Sequence, residues 1–286
     1  MINNKNTKIN TFDFDPVKHH DELLFIPLGG SNEIGMNLNL YHYKGKWLLV
    51  DLGIGFCEQD LPGVDITLPK IDFIEQYKED IVGLVLTHAH EDHIGGVPYL
   101  WQYLECPIYT TKFTASVLKA KFAEFNIPTE VEIPIIEVAG NGIIDLEPFS
   151  FEMVGITHSI PEMHGLVIRT EKGNIFHTGD WKLDPNPIVG ARTNETRLKE
   201  LGEEGILAMV CDSTNVFTEG HSRSEGELSE SIAELIQKER DGLVIITTFA
   251  SNIARLHSIA TAAKNSGRKV ALAGRALWRM YNAARD

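Results

Sequence analysis

The stretch that decides the fold is LTHAHEDHIGG, residues 86–96. The apolar run before it, IVGLVL (81–86), reads as a strand buried on both faces. Such a strand delivers His88 and His90 at its C-terminal end. In extended backbone, residues two apart point the same way, so both imidazoles can address one ion. Asp92 and His93 follow as the chain turns into a helix, aiming a carboxylate and a third imidazole at a neighbouring position. Three histidines and two acids, Glu91 among them, within six residues would repel one another in a core without a cation to pair with. A structural role fits a lone histidine, and fits this cluster poorly. Gly95 and Gly96 are expected to let backbone pass close to the metals.

Outward from this segment, more candidate ligands end other strands. Asp51 ends LLVD, His158 ends FEMVGITH and Asp180 ends NIFHTGD. Each alone could be a turn former or a helix cap. Their recurrence at the same end of successive strands, where α/β sheets place their chemistry, favours one site. His164 and His177 read as structural, and His19, His20, His42 and His221 as surface residues.

The chain has 286 residues, 43% hydrophobic, enough for one large or two modest domains. Short strands and turns fill the first third: LLFIPL (23–28), then MNLNLYHY alternating in period two, with KGKW turning it back into LLVDLG. Helical periodicity marks 97–104 and 114–125, the latter stopped by Asn126 and Pro128. Strands are expected at 149–156, 165–170, 174–179 and 206–212. After Ser224 the pattern becomes helix, strand, helix, with GLVIITTF as the strand, followed by a final strand KVALA and another helix. That resembles half of a parallel α/β layer. A layer rarely stops there, so the sequence predicts a truncated chain or an incomplete second domain. The first 22 residues are polar and read as a flexible tail without a secretory apolar region. No run approaches the roughly 20 apolar residues of a membrane helix. Cys57, Cys106 and Cys211 are too scattered for a disulfide framework or a metal knuckle, and are expected to be reduced, buried thiols of a cytoplasmic protein.

The formal charge of −14 argues against a protein coated in basic surface. Its distribution is uneven: residues 242–286 hold seven basic side chains against one acid and are +6, whereas the first 241 residues are −20. The basic run is either a solvated helix face or the edge of a phosphate-binding surface.

The spacing H-x-H-x-D-H, a later His and a later Gly-Asp resemble the metallo-β-lactamase superfamily. PLGGSNEIGMN, LTHAHEDHIGG, THSIPEMHG, HTGDWKLDPNP, CDSTNVF with Ser222-Arg223-Ser224-Glu225, and TTFASNIARL are similar to the bacterial ribonuclease J family, in the β-CASP branch. The resemblance runs from about Leu24 to the end and implies an αββα four-layer sandwich over 23–219, with the start of a β-CASP α/β domain over 220–286. It implies that His88, His90 and His158 hold one zinc, that Asp92 and His93 hold a second, and that Asp180 bridges them. Asp92, His93 and Asp180 are then the catalytic candidates, Asp51 orients the ligating imidazoles, and Asp212, Ser213, Thr248 and Ser251 are candidates for substrate contact. Asp212 also reads as a plain strand-ending cap.

The implied activity is hydrolysis of single-stranded RNA from a 5′-monophosphate end, and internally as well, in RNA processing and decay including rRNA. The implied setting is the cytoplasm, with no membrane partner and a homo-oligomer at full length. In the family a further zinc-ligating histidine follows the β-CASP domain. Here the last histidine is His257, in a helical pattern, so the chain is expected to hold one metal better than two and to be weakly active. Two alternatives stand beside this: a small-molecule thioesterase or lactonase, which shares the zinc motif, and a non-catalytic RNA-binding protein on a decayed form of the fold.

Overall fold

A computed structural model of the chain describes residues 14–56, 62–125, 132–239 and 241–285. Strands β1 (Leu24–Gly29), β2 (Leu38–Tyr43) and β3 (Lys46–Val50) form an antiparallel meander. Lys44 and Gly45 close the β2–β3 turn, both at positive φ (49° and 72°), the geometry that two-residue hairpins favour. β4 (Gly55–Phe56) and β5 (Ile66–Thr67) make a small separate ribbon. β6 (Ile81–Val85), β7 (Ile108–Thr110) and β8 (Ile135–Glu137) add to β3 in parallel, completing a six-stranded sheet of order β1-β2-β3-β6-β7-β8. The second sheet holds β9 (Ile143–Leu146), β10 (Phe149–Gly155), β11 (His164–Thr170), β12 (Gly173–His177) and β13 (Ala208–Val210), in the order β13-β12-β11-β10-β9. Only its β12–β13 pair is parallel.

Period-two patterning sorts the side chains into layers. On β3, Trp47 and Leu49 face the helices, whereas Leu48 and Val50 face the other sheet. Tyr41, Tyr43, Leu48 and Val50 meet Phe149, Phe151, Met153, Leu166 and Ile168 between the sheets. Outside the first sheet lie α1 (Asp72–Glu75), α2 (Glu91–Ile94), α3 (Val97–Leu104) and α4 (Lys112–Glu124), contributing Ile74, Ile94, Trp101, Val117 and Phe122 to the core. Outside the second lies α5 (Glu195–Glu204), with Leu201 against Val154 and Val167. The αββα sandwich expected from the sequence is therefore present.

Beyond it come α6 (Glu225–Lys238), α7 (Ile253–Asn265) and α8 (Arg275–Arg285). Ile253, Met280 and Ala283 join the same apolar cluster as α3 and α4, so α7 and α8 are docked on the sandwich. None of the described helices is long and apolar enough to cross a membrane.

Four expectations are corrected. GLVIITTF and KVALA form no strand: Leu243, Ile245 and Phe249 are 87%, 79% and 86% exposed, and no described segment lies alongside to bond their backbone. An apolar run becomes a strand only when a neighbour takes its N–H and C=O groups. The tail is not loose to residue 22, because Phe14 is buried against His42, Trp47, Phe73 and Tyr77. His42 is fully buried in that aromatic cluster, not at the surface. Among the thiols, Cys106 is buried and Cys211 exposed, while Cys57 lies outside the described residues.

Candidate metal centre

The sandwich brings the C-terminal ends of β3, β6, β10 and β12 to one edge. Asp51 directly follows β3, and the ligand motif follows β6. His158 lies three residues past β10, as Asp180 does past β12. His88, His90, His158 and Asp180 form one group whose donor atoms all lie within 4.8 Å of one another. Asp92, His93 and Asp180 form a second on the same criterion, so Asp180 is common to both. In the first, His90 Nδ1 is 2.9 Å from His88 Nε2 and 3.2 Å from His158 Nε2. In the second, His93 Nε2 is 3.2 Å from Asp180 Oδ1 and 3.6 Å from Asp92 Oδ2.

The turn carrying Asp92 and His93 is built by its neighbours. A four-residue helix with no side-chain cap is not stable by itself. Its carbonyls are taken up from outside: Ile54 N–H donates to Glu91, Asn37 N–H to Asp92 and Leu52 N–H to His93, at 2.8–3.1 Å. The approach is so close that a Cβ on Gly53 would lie 1.7 Å from the Asp92 carbonyl, and one on Gly96 would lie 2.6 Å from that of Gly53. The glycines of the motif thus serve backbone-to-backbone packing under the site.

Asp51 is buried and adopts the left-handed region (φ 62°), a strained conformation that aspartate tolerates better than most residues. Its Oδ1 accepts Thr87 N–H at 2.8 Å, and its Oδ2 sits 2.7 Å from His93 Nδ1. Thr87 Oγ1 bonds Asp51 and also meets His88 Nδ1 at 3.0 Å. Asp51 and Thr87 together fix the rings of His88 and His93 from behind.

Burial, helped by the neighbouring imidazoles, drives His88 well below the usual histidine range and His90 to about 3; burial also lowers His158. These three rings are therefore neutral, with lone pairs available to a cation. Burial also opposes charge on His93, but Asp51 and Asp180 outweigh it and hold His93 well above the usual range. Burial works against Asp180 too, yet His93 and the surrounding imidazoles keep it ionised. Asp92 is raised, first by burial. Three neutral imidazoles and a carboxylate suit a tetrahedral zinc-type ion, and the second group offers two carboxylates and, once a cation displaces the His93 Nε2 proton, an imidazole. The donor set fits metal binding.

His164 and His177 stay outside both groups, as expected: His164 Nδ1 bonds the Glu162 carbonyl and His177 Nδ1 meets the Tyr41 hydroxyl. The substrate candidates are less concentrated. Asp212 Oδ1 accepts Thr214 N–H, the turn-capping role, although its charge also acts on His158. Ser213 is exposed on that turn, while Thr248 and Ser251 precede Asn252, the N-cap of α7. Two residues were missed. Thr87 lies inside the motif, and Asn37 Nδ2 donates to the Asp92 carbonyl at 3.0 Å and lies 3.2 Å from His93 Nε2. Asn37 ends the quoted PLGGSNEIGMN, but nothing in that segment says which element it packs against.

The basic stretch after Gly242 divides between side chains engaged within the protein and exposed ones. Arg255 pairs with Glu225, Arg279 with Glu91 and Glu124, and Arg268 bonds the carbonyls of Gly242 and Glu239. Lys264, Lys269 and Arg275 are exposed.

Residues 46–198 match the β-lactamase superfamily domain, and residues 241–286 match the β-CASP domain of ribonuclease J. The chain is 47% identical to a ribonuclease J of Sinorhizobium meliloti over 94% of its own length and 49% of the relative's. It is 38% identical to one of Thermus thermophilus, over 90% of the chain and 46% of the relative. The chain thus spans about half the length of these curated relatives. A crystal structure of a protein of unknown function from Enterococcus faecalis covers 83% of the chain, and 62% of that protein is covered in turn. Its TM-score of 0.62 at 19% identity is a likeness of fold.

Proposed function

The chain belongs to the metallo-β-lactamase superfamily, and on that premise we propose that it is a zinc-dependent ribonuclease of the ribonuclease J type. The observation that supports this best is the sharing of Asp180 between two donor groups, which suits a pair of cations. A bound pair of dications supplies activated water at neutral pH and compensates charge on a phosphodiester. The chain's own residues do the rest. His88, His90 and His158 present neutral donors, and Asp180 ties the two groups together. Asp51 and Thr87 orient the rings. Asp92, whose carboxyl is raised by burial, is the group to accept a proton from the attacking water.

The substrate is single-stranded RNA, attacked from a 5′-monophosphate end and also internally. The setting is cytoplasmic RNA processing and decay, rRNA included, with the full-length protein a homo-oligomer. Similarity to relatives called ribonuclease J supports this reading.

The test offers zinc- or manganese-loaded chain three substrates: 5′-monophosphorylated RNA, the same RNA with a 5′-triphosphate, and a lactone or thioester. Metal-dependent RNA turnover, faster from the monophosphate, is expected. Turnover of the small molecule without RNA cleavage would favour a small-molecule hydrolase. RNA binding without turnover at full metal occupancy would favour a binding protein.

A further inference from the structure

Glu91 lies in sequence between His90, a donor of the first group, and Asp92, a donor of the second, yet its carboxylate joins neither. It turns outward. Lys121 Nζ, from α4, reaches its two oxygens at 2.8 and 2.6 Å. Arg279 Nη2, from α8, reaches Oε1 at 3.3 Å. The other terminal nitrogen of Arg279 donates to both oxygens of Glu124 on α4, at 3.0 and 2.8 Å.

The Lys121 and Arg279 side chains are only 7% and 12% exposed, so water and salt screen this network less than an ordinary surface pair. Arg279 Nε is buried without a partner, a cost that the two carboxylates must outweigh to keep the guanidinium in place. The backbone of Glu91 is held as firmly, its carbonyl accepting Ile54 and Gly95 N–H. Side chain and backbone therefore anchor one turn, and Asp92 and His93 ride on it.

The second donor group has three described residues, two of them on this turn, whereas the first draws on three separate segments. Displacing the turn removes two of three donors from the second group. The first group loses at most His90, at the edge of the turn.

We propose that Arg279 is a positioning residue for the second metal position. Through Glu91 it ties the helix of residues 275–285 to the turn carrying Asp92 and His93, so docking of that helix sets how tightly the position holds a divalent cation. This rests on the two-metal reading above.

The experiment measures cobalt(II) binding to the full chain by calorimetry and visible absorption, for wild type, Arg279→Ala, Arg279→Lys and Glu91→Gln. Two equivalents are expected in wild type, the second weaker. Arg279→Ala should weaken the second equivalent several-fold, less than the roughly tenfold or more that losing a direct hydrogen-bond partner of a ligand costs, with the first changed much less. Arg279→Lys, which can still reach a carboxylate, should recover part of that loss. Glu91→Gln should loosen the second equivalent and serves if Arg279→Ala does not fold. An unchanged second equivalent in the folded variants overturns the proposal alone. Equal loss of both equivalents with a lowered Tm also overturns it, marking Arg279 as a general stabiliser. A wild-type chain that binds a single equivalent overturns the two-metal reading and this proposal with it.

Discussion

Asp51 Oδ2 lies 2.7 Å from His93 Nδ1, both groups being buried at the floor of the site. The contact leaves His93 Nε2 facing Asp92 and Asp180, so a residue 42 positions upstream decides which ring nitrogen is offered. Asp51→Asn keeps the shape and removes the charge. It should weaken metal binding at the second position by about tenfold or more. Asp51→Ala should in addition lower stability by about 1–3 kcal/mol, because Thr87 N–H is left buried without its acceptor. Metal-binding isotherms and thermal melts check this; two variants that both bind like wild type would refute the orienting role.

Asp180 should be the most damaging single ligand to lose. His158→Ala removes a donor from the first group alone and His93→Ala from the second alone, while Asp180→Ala removes one from each. Metal content per chain after dialysis is expected to fall furthest for Asp180→Ala. Equal content in His88→Ala and wild type would show the ligand assignment to be wrong.

Glu152 gives a pH dependence away from the metals. It is buried on β10, and hydrogen bonds from Arg197 outweigh the opposing effect of burial; Arg169 adds to them, holding its carboxyl below the usual value near 4.5. A depressed folded-state value means that the contribution is present above about pH 4.5 and is lost as pH falls through the folded value. Glu152→Gln should therefore destabilise by about 1–3 kcal/mol at pH 7, the scale of losing hydrogen bonds to a charged group, because Arg169 and Arg197 keep Glu204 and Glu200 as partners. The two proteins should draw closer in stability as pH is lowered from 7 to below about 4.5. Denaturant unfolding at both pH values tests this, and a constant difference would exclude the ionised pair as the cause.

If the chain binds single-stranded RNA, the basic residues should divide. Lys264, Lys269 and Arg275 are exposed, and replacing each with Ala should lower the log–log salt slope of binding by about 0.7 if it meets a phosphate. Arg255→Ala should leave the slope unchanged and lower Tm, since it strips Glu225 of its partner. The opposite pattern would return Arg255 to the RNA surface.

The candidate donor groups were legible in the sequence because their information is local. His88, His90, Asp92 and His93 sit within six residues, and strand and turn geometry is enough to aim them. His158 and Asp180 could be found because strand ends in one sheet converge on one edge. The sandwich was expected from the resemblance to the superfamily, and the structure then sorted Trp47 and Leu49 to one face of β3 and Leu48 and Val50 to the other. Tertiary structure alone decided what depends on partners distant in sequence. The hydropathy of GLVIITTF and KVALA reads as strand, but a strand exists only where another segment bonds it, and none of the described segments does. The charge of residues 242–286 reads equally as a solvated helix face or a phosphate surface, yet Arg255 and Arg279 meet Glu225, Glu124 and Glu91 across 30, 155 and 188 positions. His42 and Phe14 look like surface and tail until an aromatic cluster closes over them. Composition fixes which groups a chain owns, whereas burial and charge pairing are set by which distant groups the fold brings within a few ångströms.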